Sequence, residues 1–299
     1  MTKLAITFLI SLSALMAGCS HDAEKNHSPV FVDTPKNSVP EYAFAIHPLH
    51  NPTRLFEVFH PLMEYLNKQI PDVHFKVEAS RNYDAFNEKL KQQSVPFALP
   101  NPYQTLIAIN HHYQVIAKMG DDQNFRGIIL VRKDSSIKQP SDLKGKAVSY
   151  PAATALAATI LPQDYLQKHG LDINKDIENR YVGSQESSIM NVYRGNTAAG
   201  STWPPPWEAL SSERPELKEQ LKVIWETQTL PNNSIVARSD MPAALVQQVQ
   251  KALTDFHKTP EGKKALERMH LSHFELANNQ NYQDVKEFID QFTQTVRPL

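Results

Sequence analysis

Short apolar runs alternate with longer amphipathic stretches along most of the chain. Residues 42–46 form the first apolar run, and apolar residues then recur at helical spacing through 53–70. This pattern predicts a strand followed by a helix, with Thr53 as the residue that caps the helix. Polar and apolar residues alternate in 73–79, which predicts a second strand. Strands and helices that follow one another in this way indicate an α/β fold with a mostly parallel sheet.

The stretch 141–172 shows the repeating unit of the chain most clearly. Its apolar run at 147–150 predicts a strand that ends at Pro151, and a helical pattern then runs from about Thr154 to Gly170. The first amide groups of a helix have no partners within the helix, and the helix dipole makes that end partly positive. A strand–turn–helix unit of this kind can therefore bind an anion.

Three residues stand directly after predicted strands, namely His47, Asn101 and Pro151. Ligands of open α/β sheets bind beyond the carboxyl ends of the strands, where the helices begin. These positions therefore predict one common site. Tyr103 follows in the same helix start as Asn101, where its hydroxyl could donate to a ligand or its ring could pack on the core.

In the second half of the chain, further candidate contacts follow predicted strands at 180–183 and 198–202. Ser184 is expected to cap the next helix and, with Gln185, to face a ligand. Trp203 and Trp207 flank three prolines, and we expect this segment to be a stiff, extended loop whose indoles form a wall of the cleft. The alternative is a packed corner of the fold.

Composition and charge exclude several classes of function. The 31 Lys and Arg residues balance 32 Asp and Glu residues, and no broad basic face is visible, so nucleic acid is not an expected partner. The nine glycines form neither G-x-G-x-x-G nor a P-loop, and no hydrolase motif appears. The histidine pairs lack a third ligand at a recognisable spacing. The sequence therefore predicts no enzyme, no cofactor and no metal site.

The first 40 residues have the pattern of a targeting segment. An apolar run from Leu4 to Ala17 follows Lys3 and ends at Gly18-Cys19, the single cysteine of the chain. Small residues that end at a cysteine resemble a bacterial lipoprotein signal. We expect 1–18 to be the signal peptide, Cys19 to carry lipid, and the polar, proline-containing stretch 19–40 to be a flexible tether.

Several stretches together resemble the phosphate-, phosphite- and phosphonate-binding family of transporter-associated periplasmic proteins. The similarity covers about 41–297 and is strongest in VRKDSSIKQPSDLKGK, which ends at Lys146. The other stretches that carry it are 59–66, Asn101-Pro102-Tyr103, 182–185 and 242–269.

The resemblance implies a type II, two-lobed α/β binding protein in which each lobe is a mostly parallel sheet flanked by helices. Lobe one would comprise 41–127 plus 238–299, lobe two would comprise 128–237, and the ligand would lie in the cleft between them. Two crossover strands near 126–133 and 232–238 would join the lobes.

The resemblance also implies a function. The protein is expected to be a lipid-anchored, monomeric binding protein of the periplasm, attached to the inner or outer membrane. It would capture a small ligand, an oxyanion such as a phosphonate or phosphate, for an ABC transporter permease. The alternatives are a ligand-sensing partner of a membrane signalling protein, with a non-phosphonate organic ligand, and an envelope hydrolase.

The sequence departs from the family where the anion would be held. The family has a Ser-Thr-Ser-Gly-like run, whereas 151–157 offers only the Thr154 hydroxyl, and the family's frequent His is Gln185 here. Backbone amides could still hold an oxyanion, but the ligand class stays open. The full set of candidate contacts is His47, Asn101, Tyr103, Arg126, Thr154, Ala155, Ser184, Gln185, Trp203, Trp207 and Glu208.

Some of these candidates have an equally simple structural interpretation. Thr154 could cap a helix, and one residue can both cap and bind. Glu208 lies near the position where some relatives carry an acid that meets a ligand amine, but it could also be a solvated carboxylate. Arg126 could neutralise an anion or form a surface ion pair.

Overall fold

The computed structural model describes residues 39–299, which carry two mixed β-sheets flanked by helices. Residues 1–38 lie outside the described residues. They include the predicted signal peptide, the lipidation site at Cys19 and most of the tether.

The first sheet has six strands in the order β11-β4-β10-β3-β1-β2. Strand β1 is parallel to β2 and β3, whereas β10 is antiparallel to both β3 and β4, and β11 is antiparallel to β4. The strands are β1 (Glu41–Ile46), β2 (His74–Glu78), β3 (Phe97–Leu99), β4 (Tyr113–Met119), β10 (Ser234–Arg238) and β11 (Phe274–Leu276).

The second sheet has five strands in the order β7-β6-β8-β5-β9. Strand β6 is parallel to β7 and β8, and β5 is antiparallel to β8 and β9. The strands are β5 (Arg126–Arg132), β6 (Lys146–Tyr150), β7 (Ile177–Tyr181), β8 (Ala199–Thr202) and β9 (Leu221–Thr229).

Helices connect most of the parallel strands and cover the sheets. The α-helices are α1 (Pro52–Gln69), α2 (Tyr83–Lys91), α3 (Pro102–Asn110), α4 (Leu161–Lys168), α5 (Gln185–Tyr193), α6 (Pro204–Glu213), α7 (Glu216–Gln220), α8 (Ala243–Asp255), α9 (Pro260–Met269) and α10 (Gln283–Thr295). A π-helical segment, Leu156–Ile160, runs directly into α4. None of the helices within 39–299 is both long enough and apolar enough to cross a membrane.

The chain passes once from the first sheet to the second and once back. It leaves the first sheet after β4 and enters the second as β5, and after β9 it returns as β10. These two entering strands, β5 and β10, each run antiparallel to both of their neighbours, as does β4. The predicted α/β class with two sheets flanked by helices is therefore confirmed, but the sheets are mixed rather than mostly parallel, because the strands that enter each sheet from the other pair antiparallel to their neighbours. The proposed lobe boundaries stay a prediction.

Two local predictions are wrong. Asn51, not Thr53, caps α1, because its side-chain oxygen accepts a hydrogen bond of 3.1 Å from the amide of Arg54 and Pro52 occupies the first turn. The three prolines after Trp203 begin α6 rather than forming an extended loop. Proline suits the first turn of a helix because its φ is already close to the helical value and its missing N–H is not needed there.

Candidate functional site

A small, nearly closed cavity lies beyond the carboxyl ends of strands from both sheets. The first sheet contributes residues after β1 and β3, the second contributes residues after β6, β7 and β8, and both connecting segments take part. The centre of a water molecule can occupy about 10 Å³ of the cavity, so the cavity has room for roughly one water molecule. The lining residues are His47, Tyr83, Asn101, Phe125, Ala155, Leu156, Ala157, Ala158, Gln185, Trp203 and Asn233.

One wall of the cavity is the start of a helix. Ala155 is the N-cap, with an extended backbone, and the π-helical segment and α4 together continue the helix to Lys168. The amides of residues 156–158, which we call the helix-start amides, have no hydrogen-bond acceptor among the described residues. The next two amides both donate to the carbonyl of Ala155, at 2.8 and 3.2 Å. The helix-start amides are therefore free to bind an anion in the cavity.

His47 forms part of the opposite wall and is only 2% exposed. Its Nδ1 lies 2.9 Å from the carbonyl oxygen of Leu99, to which it must donate because a carbonyl cannot. Burial lowers the pKa of the imidazole to about 4, although the Leu99 hydrogen bond opposes this effect. At neutral pH the ring is therefore uncharged, with its proton on Nδ1 and a lone pair on Nε2.

Gln185 and Tyr83 supply further hydrogen-bonding groups. The hydroxyl of Thr202 donates to the side-chain oxygen of Gln185 at 2.8 Å, which leaves the Gln185 amide nitrogen available as a donor. Burial raises the pKa of the Tyr83 hydroxyl, so it stays protonated and can also donate. Both side chains are almost fully buried, at 2% and 3% exposure.

Asn101 and Asn233 hold the two parts of the cavity wall in place. Asn101 caps α3 by accepting from the amide of Gln104 at 3.0 Å, and its side-chain nitrogen donates to the carbonyl of Thr154 at 3.2 Å. Asn233 is completely buried, and its side-chain oxygen has no hydrogen-bond donor among the described residues. Asn101 thus ties the end of β3 to the turn that precedes the helix-start amides.

Five of the predicted contacts come together around this cavity: His47, Asn101, Ala155, Gln185 and Trp203. The Trp203 ring packs against Phe125, with ring centroids 5.5 Å apart. Two other predicted contacts lie next to the site but serve local structure. Ser184 caps α5 by accepting from the amide of Ser187, and Thr154 provides its carbonyl to Asn101.

The remaining four predicted contacts do not line the cavity. Tyr103 faces a separate groove between α3 and α10, and Trp207 is buried in the core of the second sheet. Glu208 pairs with Lys218 at 2.7 Å, and Arg126 pairs with Glu226 at 2.6 Å. Both ion pairs are partly or largely exposed to solvent.

Six lining residues are not among the predicted contacts: Leu156, Ala157 and Ala158, which follow the predicted contact Ala155, and Tyr83, Phe125 and Asn233. Tyr83 begins α2 soon after β2 ends, so the rule that found His47 and Asn101 also applied to it. Phe125 and Asn233 lie in the two segments that connect the sheets, where no periodic pattern marks them.

The cavity has no charged side chain among its described lining residues. Its donors are the helix-start amides, the Gln185 amide nitrogen and the Tyr83 hydroxyl, and its acceptors are Nε2 of His47 and the side-chain oxygen of Asn233. A site of this kind balances the charge of an anion with backbone dipoles and neutral hydrogen-bond donors.

An ion pair and a histidine–carboxylate contact join the parts of the chain that carry the two sheets. Arg54 of α1 donates to both carboxylate oxygens of Glu213 in α6, at 2.7 and 2.8 Å. His50, in the loop after β1, lies 3.5 Å from the carboxylate of Glu186 in α5. Both contacts therefore link segments that follow strands of different sheets.

Known proteins share both the sequence pattern and the fold. Residues 44–282 match the family described as the periplasmic phosphonate substrate-binding protein of ABC transporters. Over 186 residues the chain is 23% identical to a probable ABC transporter phosphite-binding protein, PhnD1, of Prochlorococcus marinus, with 58% of this chain and 63% of that protein covered. Over 162 residues it is 24% identical to the phosphonates-binding periplasmic protein of Escherichia coli, with 52% and 47% covered. The chain thus spans between about half and just under two thirds of the length of these relatives.

A solved structure extends the comparison to most of the chain. The structure of PhnD1 from Prochlorococcus marinus in complex with methylphosphonate superposes with a TM-score of 0.77 at 19% identity, and the match covers 86% of this chain and 100% of that chain. This likeness confirms the predicted type II binding-protein fold. Because the family match extends over residues 44–282, the chain belongs to the family of periplasmic phosphonate substrate-binding proteins of ABC transporters.

Proposed function

We propose that this protein captures a small phosphonate or a related oxyanion in the periplasm and delivers it to an ABC transporter, and that it catalyses no reaction. The observation that carries the proposal is the set of free helix-start amides facing a closed polar cavity. These amides replace the hydroxyl-rich run of the family as the anion-binding group. The family match over residues 44–282 supports the transport role over the signalling and hydrolase alternatives.

We propose that the cavity is the cleft between two lobes, 41–127 plus 238–299 and 128–237. The segments between β4 and β5 and between β9 and β10 would act as the hinge, because the chain connects the sheets only there. Opening would separate His47 and Asn101 from the helix-start amides and admit the ligand. Closing would bring these groups back toward each other around the ligand, in a cavity wider than the space for about one water described above.

We also propose that the protein acts as a monomer and that lipid on Cys19 anchors it to a membrane. The tether 19–40 would let residues 41–299 reach a permease. This part of the proposal rests on the sequence pattern at Gly18-Cys19.

Ligand-induced stabilisation tests the proposed ligand class. We expect methylphosphonate, phosphite or phosphate to raise the unfolding temperature, because a ligand at about 100 times its dissociation constant adds about 2.7 kcal/mol to the free energy of unfolding. The measurement is thermal unfolding in a buffer free of phosphate and sulfate, with uncharged organic solutes of similar size as the control. Stabilisation by the uncharged solutes alone would contradict the proposal.

Replacing Gly127 by alanine should displace the anion-binding helix, because Gly127 packs against the start of that helix. A β-carbon at this position would lie 2.5 Å from the carbonyl oxygen of Ala157 and 2.7 Å from Cγ of Pro162. We expect Gly127→Ala to lower the free energy of unfolding by about 1–3 kcal/mol and to weaken oxyanion binding, because the helix-start amides must move.

Gly145→Ala is the matched control for this change. Gly145 has a φ of +72° and open space around its α-carbon, so alanine there costs about 1–2 kcal/mol of backbone strain without touching the cavity. Urea unfolding and calorimetric titration of both variants provide the comparison. Equal loss of affinity in the two variants would show that destabilisation alone, and not displacement of the amides, weakens binding.

A further inference from the structure

His47 gives the cavity a buried hydrogen-bond acceptor opposite its donors. Nδ1 and the backbone amide of His47 both donate to the carbonyl of Leu99, at 2.9 and 3.1 Å, which fixes the ring and its tautomer. No described residue donates to Nε2. A ligand that fills the cavity must therefore either bring a hydrogen-bond donor to Nε2 or leave this lone pair buried without a partner.

The surroundings of His47 keep the imidazole neutral. Tyr83 and Phe86 of α2 pack edge-on against the ring, with centroids 6.1 and 6.3 Å away. His50 lies in the same loop, 3.5 Å from the carboxylate of Glu186. Burial and the proximity of His50 both lower the pKa of His47, and no acidic group contributes to it. Near neutral pH, Nε2 of His47 therefore carries no proton and can only accept a hydrogen bond.

We infer that the cavity selects the singly protonated form of its oxyanion, and that His47 is the specificity-determining residue because its Nε2 accepts the ligand's O–H hydrogen. The inference rests on the proposed function and names the protonation state that the same site binds. The unprotonated oxygens face the helix-start amides, the Gln185 amide nitrogen and the Tyr83 hydroxyl. A singly charged anion suits this cavity better than a dianion, because the lining residues offer backbone dipoles but no cationic side chain to balance a second charge.

Methylphosphonate and methanesulfonate test this inference. Their monoanions have similar shape and the same charge, but only the phosphonate carries an O–H. We expect isothermal titration calorimetry of the purified full-length protein, one pH unit below the second ionisation of methylphosphonate, to give about 10- to 100-fold weaker binding of the sulfonate, because the sulfonate leaves Nε2 unsatisfied. Equal affinities would overturn the inference and leave the proposed function standing. Binding of neither compound would overturn both.

The pH dependence of binding is a second readout that needs no variant. Above the second ionisation of methylphosphonate the monoanion becomes about tenfold scarcer per pH unit, and the apparent affinity should fall by the same factor. An affinity that stays constant or rises across this ionisation would show that the dianion binds, and would overturn the inference.

His47→Asn separates the acceptor from the structural role of the histidine. The shorter side chain can still donate to Leu99 but places no acceptor at the position of Nε2. We expect the variant to bind methylphosphonate and methanesulfonate within a few-fold of each other and to lose the pH dependence. Thermal unfolding checks that the variant is folded. A folded variant that retains the full preference for the phosphonate would overturn the role of His47.

Discussion

Leu156→Pro is expected to weaken oxyanion binding about 10- to 100-fold more than Leu156→Ala does. Proline removes the first of the helix-start amides, and a hydrogen bond to a charged group contributes about 1.5–3 kcal/mol. The helix should survive, because Leu156 is its first residue and Ala155 before it has an extended backbone, which is the conformation that a following proline requires.

Leu156→Ala is the control for the lost side chain. Leu156 is buried, so both substitutions remove its packing, but alanine keeps the amide. Calorimetric titration of both variants with methylphosphonate isolates the contribution of the N–H. If the two variants bind equally well, the first helix-start amide does not contact the ligand.

Acid is expected to destabilise the protein by about 3 kcal/mol through His47 alone. The folded state holds the pKa of this imidazole at about 4, whereas an exposed histidine titrates near 6.5. Between these values the unfolded state binds the proton and the folded state does not, so the free energy of unfolding falls as the pH falls from 6.5 to 4. Above this window the contribution is fully present, and below it no further loss comes from His47.

Urea unfolding of the wild type and of His47→Gln across this pH window measures the effect. The other histidines titrate in both proteins, so the difference between the two curves reports His47. We expect the wild type to lose about 3 kcal/mol more than the variant between the two ends of the window. Parallel curves would show that folding does not lower the pKa of His47, which would contradict the burial of its imidazole as an uncharged ring.

The cavity residues that the sequence predicted share one feature that needs no tertiary information. His47, Asn101, Gln185 and Trp203 each follow a strand closely, and the carboxyl ends of parallel strands point to one edge of a sheet. The same rule located Ala155 at a helix start. Strand position was therefore enough to place these five residues around one cavity.

The misplaced candidates depend on packing that no local pattern encodes. The sequence predicts Trp207 in the cleft, because the family places ligand contacts after this strand and three prolines indicate an extended segment. These prolines begin α6 instead, and the helix directs Trp207 against Ile128 and Leu130 in the core of the second sheet. Arg126 and Glu208 follow the alternative that the sequence left open, since both form ion pairs that are partly exposed to solvent, but their partners, Glu226 and Lys218, are set by the fold.

The neutral character of the cavity also follows from long-range contacts. The sequence shows a histidine at position 47, but its tautomer is set by Leu99, which lies 52 positions further along the chain. Its protonation state depends on burial beneath α2. A prediction from local sequence could therefore identify His47 as a contact but could not identify it as an acceptor.

A crystal structure of the protein with methylphosphonate is the most direct test of the central claim. We predict that the phosphonate group lies between the helix-start amides and His47, with its oxygens roughly 2.7–3.2 Å from the amide nitrogens of residues 156–158. A phosphonate bound elsewhere, for example in the groove beside Tyr103, with the helix-start amides left free, would contradict the account.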